Sequence, residues 1–200
     1  MWLSLAAALV CTVAALPLGV LAARHRDRAT RVLEGASYVA HGLPAIVIGI
    51  AMISVGVLLL RPIYQQSPLL VLAYAVLLVP LAVGSTRAAV ESAPIRLEEV
   101  ARALGRSPLR AFGAVTARVA APGIAAGAAL VMLTCMKELP VTLMLRPTGT
   151  DTLATRLWNF SSVSDYASAA PYAAALVVFA AIPTAVLGYW SLGVDEVRSD

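Results

Sequence analysis

Five uncharged stretches set the pattern of this chain, at residues 2–23, 42–60, 67–86, 119–136 and 166–193. Each is close to or beyond the roughly 20 helical residues that cross a bilayer. The segments between and after them hold all of the charge. Period-two alternation is absent and alanine and leucine dominate the runs, which disfavours a strand barrel. The pattern predicts an all-α membrane protein of about five transmembrane helices, forming a single domain over 1–200. The fifth run is longer than a crossing needs, so its first residues are expected to form an outer loop or a tilted approach.

Composition supports this reading. Charged residues make up 13% of the chain, hydrophobic residues 60%, and the mean hydropathy is +0.84. A soluble domain carries roughly a quarter of its residues charged. The net charge of +4 does not indicate nucleic acid, because the arginines form no stripe interleaved with aromatics. Cys11 and Cys135 lie in separate apolar runs and read as packing residues rather than as a disulfide or a metal site. The first run is not read as a signal peptide, since residues 1–4 carry no basic side chain and the basic cluster follows the run.

Basic residues are distributed unevenly between alternate gaps. One side holds Arg24, Arg26, Arg28, Arg31, Arg87, Arg96, Arg102, Arg106, Arg110, Arg118 and Arg198; the other holds Arg61, Lys137, Arg146 and Arg156. The positive-inside rule makes the first side cytoplasmic, with the N-terminus outside and the C-terminus inside. An external N-terminus suggests one or more upstream helices. Residues 32–41 show helical periodicity, with Val32, Leu33, Ala36, Val39 and Ala40 on one face and Glu34, Ser37 and His41 on another. They are expected to lead into the second span, kinked at Pro44. His41 has no partner ligand nearby and reads as an interfacial residue.

The most informative segment is the gap at 87–122, expected to be a cytoplasmic loop. Pro94 suits a first helical turn, and Leu97, Val100, Ala101 and Leu104 recur at helical spacing. Glu98 precedes Arg102 by four residues in the favourable order, and Glu99 also reaches it. Gly105 supplies the left-handed stop, and Ser107 and Pro108 restart a helix as N-cap and first residue. Leu109, Phe112, Thr116 and Val119 form the face of that second helix. Such a helix–turn–helix either docks on a partner or lies on the membrane surface, and the glycine-punctuated turn favours docking.

The run Glu99-Val100-Ala101-Arg102-Ala103-Leu104-Gly105 resembles the EAA signature of permease subunits in binding-protein-dependent ABC importers. Val100 replaces its first alanine. Ser107 through Phe112 and Val115-Thr116 continue the resemblance, whereas Ala117-Arg118 stand where the family usually has Leu-Pro. The second half looks closest to the iron(III)-type permeases, through residues 136–143 (Met-Lys-Glu-Leu-Pro-Val-Thr-Leu), Leu145-Arg146-Pro147, Asp151-Thr152-Leu153-Ala154 and Trp158. Members are typically two fused halves, of which this chain resembles the C-terminal one.

The resemblance implies that Glu98, Glu99, Ala101, Arg102, Leu104, Gly105, Ser107 and Pro108 couple the spans to a cytoplasmic ABC ATPase dimer. It also implies an extracytoplasmic substrate-binding protein and a second permease half or a second copy. The chain has no phosphate-binding Gly-x-x-x-x-Gly-Lys loop, so ATP and magnesium would be bound by the ATPase, and no cofactor is expected here. Lys137, Glu138 and Pro140, at the end of a span, are candidates for the outer mouth of the translocation path. The alternative is that both charges snorkel to the interface. No ligand-spaced cluster of His, Tyr, Asp and Glu occurs, and Asp165 with Tyr166 is the nearest approach to one.

The resemblance thus implies an ATP-driven importer of iron(III), with thiamine, a polyamine or an oxyanion as the alternative cargo. Two other classes fit less well. A hydrolase would need Ser85 activated by His25 or His41 without further motif support. An ion-driven transporter half would need intramembrane acids that these runs lack.

Overall fold

The computed structural model describes residues 1–25 and 27–196. Arg26 and Arg198, counted above toward orientation, lie outside the described residues. Ten α-helices follow one another: α1 (Trp2–Arg24), α2 (Arg28–Val39), α3 (Ala45–Leu58), α4 (Ser67–Glu91), α5 (Ile95–Ala103), α6 (Pro108–Ala114), α7 (Thr116–Lys137), α8 (Pro140–Leu145), α9 (Leu153–Ser162) and α10 (Tyr166–Glu196). No strand occurs among the described residues. The all-helical reading therefore holds.

Among the described residues, three helices, α1, α4 and α7, are long and apolar enough to cross a membrane. With 14 residues, α3 extends only about 21 Å, short of the roughly 30 Å hydrocarbon core. Its run is cut at Pro44, which sets the start of α3 as its N-cap, and at Leu59. Pro44 therefore separates two helices instead of kinking one, since α2 stops at Val39 and a 3-10 turn over Ala40–Gly42 intervenes. The fifth run is helical from Tyr166 onward, without the outer loop expected there. Asp165 caps it by accepting the Ser168 N–H at 3.1 Å. Asp27 caps α2 in the same way through the Thr30 N–H at 3.0 Å. Hydrogen bonding from Thr30 and Ser168 holds both carboxyls below the usual aspartate range.

The span ends also differ from the charge-free windows. α4 runs on through Glu91, because Arg87 pairs with Glu91 one turn later at 3.0 Å and also bonds Glu34 on α2. α7 begins at Thr116, ahead of Arg118. The connecting segment is thus 92–115, shorter than 87–122.

The core is a three-helix unit. Gly19 of α1 sits against Thr86 of α4, so a Cβ built on the glycine would lie 2.7 Å from the threonine methyl. Gly123 and Gly127 form a Gly-x-x-x-Gly pair on α7 that faces Ala89 and Ser85 of α4. Small residues at such crossings let backbones approach closely, which matters where lipid supplies no hydrophobic drive between helices. Residues late in α1 and α4 thus meet the beginning of α7, so α1 and α4 run parallel and α7 antiparallel. Further along, Leu3, Ala7, Cys11, Leu70, Tyr74 and Val131 close the same interior, all buried. The two cysteines are free and buried, as packing residues.

α2 is turned against the usual amphipathic logic. Its polar residues Thr30, Glu34 and Ser37 are the covered ones, while Val32, Leu33 and Val39 point outward. Ser85 donates to the Ala82 carbonyl at 3.1 Å and neither histidine bonds it, which leaves the hydrolase reading without a base.

Replacing Gly127 by leucine should force α7 off α4, because Ser85 lies too close to its backbone to yield. Overpacking of this kind costs about 1–3 kcal/mol. Thermal unfolding in detergent should show a lowered midpoint, and an unchanged midpoint would mean that the helices do not touch there.

Candidate functional site

At the end of the core where α1 and α4 finish and α7 starts, α5 and α6 form the expected helix–turn–helix. Pro94 is the N-cap of α5. Gly105 adopts φ +86°, a left-handed conformation that suits glycine. Two hydrogen bonds close the turn around it: the Gly105 N–H donates to the Arg102 carbonyl at 2.9 Å and the Arg106 N–H to the Ala101 carbonyl at 3.2 Å. This is a complete Schellman arrangement. Ser107 and Pro108 take the N-cap and first positions of α6, although the Ser107 hydroxyl makes no capping bond.

The apolar stripe is turned away from the protein. Leu97 is 51% exposed, Val100 56%, Leu104 80% and Leu109 82%. Ala101 is half-buried, and Glu99, Arg102, Gly105, Ser107 and Pro108 are exposed. The continuous second face expected from Leu109 to Val119 does not form. The helix breaks at Val115 between α6 and α7, which leaves Leu109 outside and Thr116 inside.

The expected Glu98–Arg102 and Glu99–Arg102 pairs are also not made. Among the described residues, neither Glu99 nor Arg102 forms an ion pair. Glu98 turns inward instead. Its Oε2 accepts from Arg24 Nη2 at 3.3 Å and from the Thr116 hydroxyl at 2.6 Å, and Arg24 also donates to Thr116 Oγ1 at 2.9 Å. A half-covered partner from two distant helices outcompetes a solvated pair on one exposed turn, which stabilises by only a few tenths of a kcal/mol, about 0.3–0.5. Nothing in the sequence pointed to Arg24 or Thr116 as partners. The available signal was that each stands at the charged end of an apolar run.

At the opposite end of α7 the helix stops after Lys137, as the charged pair and Pro140 suggested. Glu138 is extended (φ −68°, ψ 124°) and α8 restarts with Pro140 as its first residue. Lys137 and Pro140 are exposed, whereas Glu138 is buried. Its carboxylate accepts from the Val141 N–H at 3.4 Å, and its carbonyl accepts from the Thr142 hydroxyl at 2.7 Å. With that proton committed, the Tyr74 hydroxyl is the donor in its 2.6 Å bond to Thr142. The network pins α8 to α4 in the interior. Beside Lys137, a groove of about 230 Å³ runs between Leu139, Trp158 and Leu176. Asp151 bridges Arg146 and Arg156 in the following loop. No group of three or more metal-ligating side chains occurs among the described residues. Asp165 serves as a helix cap.

The helical spans and the exposed, tethered helix pair define a polytopic helical membrane protein. A solved structure of the MetNI methionine ABC transporter in inward-facing conformations matches it with a TM-score of 0.73, over 99% of this chain and 93% of that one, at 19% identity. That likeness speaks for the fold. The chain belongs to the family of inner membrane components of binding-protein-dependent transport systems, whose pattern matches residues 15–194. It is 36% identical over 180 residues to the Fe(3+)-transport system permease protein FbpB 2 of Haemophilus influenzae, covering 90% of this chain and 36% of that protein. It is 32% identical over 144 residues to a putative ABC transporter permease protein, ORF1, of Streptomyces antibioticus, covering 71% and 61% respectively. The chain thus spans about a third of the first relative's length and under two thirds of the second's.

Two substitutions probe these two ends. Gly105→Ala places a side chain in a left-handed conformation at a cost of about 1 kcal/mol. Trypsin should then cut the α5–α6 turn about fivefold faster, and an unchanged rate would mean that the turn is not held as described. Tyr74→Phe removes the donor to Thr142 and should lower the unfolding free energy by about 1 kcal/mol. No change in denaturant unfolding would mean that this bond contributes nothing.

Proposed function

We propose that this chain is a permease half of an ATP-driven ABC importer for iron(III), and that the α5–α6 pair is its coupling element. The observation that carries the reading is the outward ridge of Leu97, Val100, Leu104 and Leu109 beside the unpaired Glu99. Their exposure leaves a ridge of large apolar side chains uncovered by the chain, and the left-handed turn at Gly105 fixes the backbone between them. A preformed apolar ridge with one free carboxylate suits a groove that is apolar at its floor and basic at its rim. A cytoplasmic ATPase dimer would offer that groove and supply ATP and magnesium chemistry. Closure of the dimer would push on the pair and drive alternating access.

The arginine-rich end then faces the cytoplasm, in line with the positive-inside count. The opposite end would receive cargo from an extracytoplasmic binding protein, with Lys137, Glu138 and Pro140 near the outer mouth. Glu138 shapes that end through the break it caps, and Lys137 borders the groove directly. The iron(III) assignment is supported by the Haemophilus relative and by the sequence around Lys137 and Glu138. A second permease half completes the pathway.

Leu104→Asp, Leu109→Asp and Glu99→Arg should each abolish copurification with the ATPase from detergent, because each places charge where the groove is complementary to the native surface. Retained assembly in all three would remove the docking role. Proteoliposomes holding the complete transporter should take up ferric iron from its loaded binding protein upon addition of ATP. Uptake of thiamine, a polyamine or an oxyanion instead would keep the importer and replace its cargo.

A further inference from the structure

The Arg24–Glu98–Thr116 cluster does something that packing of the bundle does not require. Among the described residues it supplies the only ion pair, and the only side-chain hydrogen bonds, between α5 and the long helices. It joins three segments far apart in sequence, at the last residue of α1, the middle of α5 and the first residue of α7. The side chains of Arg24 and Glu98 are 14% and 21% exposed, and Thr116 is fully buried. Each charge also sits at the helix end that favours it. A cation meets the C-terminus of α1, and a carboxylate faces the N-terminus of α7.

We propose that this cluster is the tie through which displacement of the docking pair is passed to α1 and α7 together, with Arg24 and Thr116 as positioning residues for coupling. The inference rests on the importer reading above. α5 presents its ridge on one face and Glu98 on the other, so a load on the ridge arrives at Glu98. From there it divides between two helices that α4 already grips through Gly19–Thr86 and Gly123–Ala89, within about two turns of the cluster. The covalent routes lead from α5 back to α4 through residues 92–94 and on to α7 through α6 and Val115. Among the described residues, Arg24 is the one side-chain link that carries the load from α5 to α1 directly.

The test uses the complete transporter, with a second permease half, the ATPase and the binding protein. Arg24→Ala and Glu98→Gln are compared with wild type for ATPase copurification, ATP hydrolysis and ferric iron uptake in proteoliposomes. Assembly should persist, while iron taken up per ATP hydrolysed should fall about tenfold, the scale of one lost charge-assisted hydrogen bond. The double variant should be no worse than either single, and the reversal Arg24→Glu with Glu98→Arg should restore part of the loss. A role in stability alone would lower assembly and leave the ratio unchanged, which would overturn the proposal. Losses that add in the double variant would overturn it equally.

A cargo-independent readout is the rate at which a membrane-impermeant maleimide labels Trp2→Cys, an exposed position at the end of α1 opposite Arg24. ATP should change that rate in an otherwise native transporter and not in the Arg24→Ala background. An ATP response that survives loss of the tie would sink the proposal. Failure of the docking reading looks different, because the ridge variants would then assemble normally.

Discussion

The close approach of α1, α4 and α7 is the constraint on which the rest of the molecule depends. Helices in lipid gain nothing from hiding apolar surface from one another, so their association relies on contact distance. Gly19, Gly123 and Gly127 set that distance by leaving no side chain between backbones. Once α1 and α4 run parallel and side by side, the chain must travel back between them. α2 and α3 make that return outside the core. This accounts for α3 being short and lying against α8 and α4, where Gly49 meets Met144 and Gly56 meets Leu69. α7 then inserts antiparallel and brings its first residue beside the last residue of α1. Both candidate sites therefore inherit their geometry from three glycine contacts, one at the near end of the core and the other at its far end.

Charges at the arginine-rich end follow a consistent rule. Glu34 turns toward Arg87 and Glu98 toward Arg24, so these two carboxylates are partly covered while large apolar residues of α2 and α5 are left outside. In a soluble protein that orientation would be destabilising, because each exposed leucine forgoes roughly 1.5–3 kcal/mol of burial. It becomes favourable when the surroundings are lipid or an apolar partner surface, and when the ion pairs formed inside are only half desolvated. Fully buried pairs would be costly to assemble. Side-chain exposures of 14% and 21% leave Arg24 and Glu98 in the intermediate range, where the Thr116 hydroxyl supplies the additional bond.

Most of the architecture was legible in the sequence because charge-free runs and helix punctuation are local signals. The spans, the Gly105 turn and the restart at Pro108 all come from residues that dictate backbone geometry by themselves. The misreadings share one cause, which is that side-chain partners are chosen in three dimensions. Glu98 was matched to Arg102 because helical spacing is visible along the chain, whereas Arg24 stands 74 positions away. Arg87 and Glu91 were assigned to a loop because charge normally ends a span, yet here they pair with each other and extend the helix. Thr116 was placed on an apolar face by periodicity, and the break at Val115 rotated it into the tether. The Gly-x-x-x-Gly pair was in plain view within an apolar run, but the sequence alone does not say which neighbour it faces.

The break after Lys137 illustrates how one carboxylate can be structural and still bear on the path. A buried acid is costly unless its charge or its proton is shared with donors. At Glu138 the Val141 N–H does this, while the Thr142 hydroxyl, secured by Tyr74 of α4, donates to the Glu138 carbonyl. The Val141 bond uses the first free N–H of α8, so the restart is stabilised by the residue at the stop. Lys137, one position earlier, is left without such partners and remains exposed beside the groove lined by Leu139 and Trp158. Adjacent residues on a helix end point about 100° apart, and the chain assigns them different surroundings accordingly. Under the importer reading, the same stop that anchors α8 in the protein therefore sets Lys137 at the mouth. Any shift of α7 along its axis would move the cap and the exposed cation together.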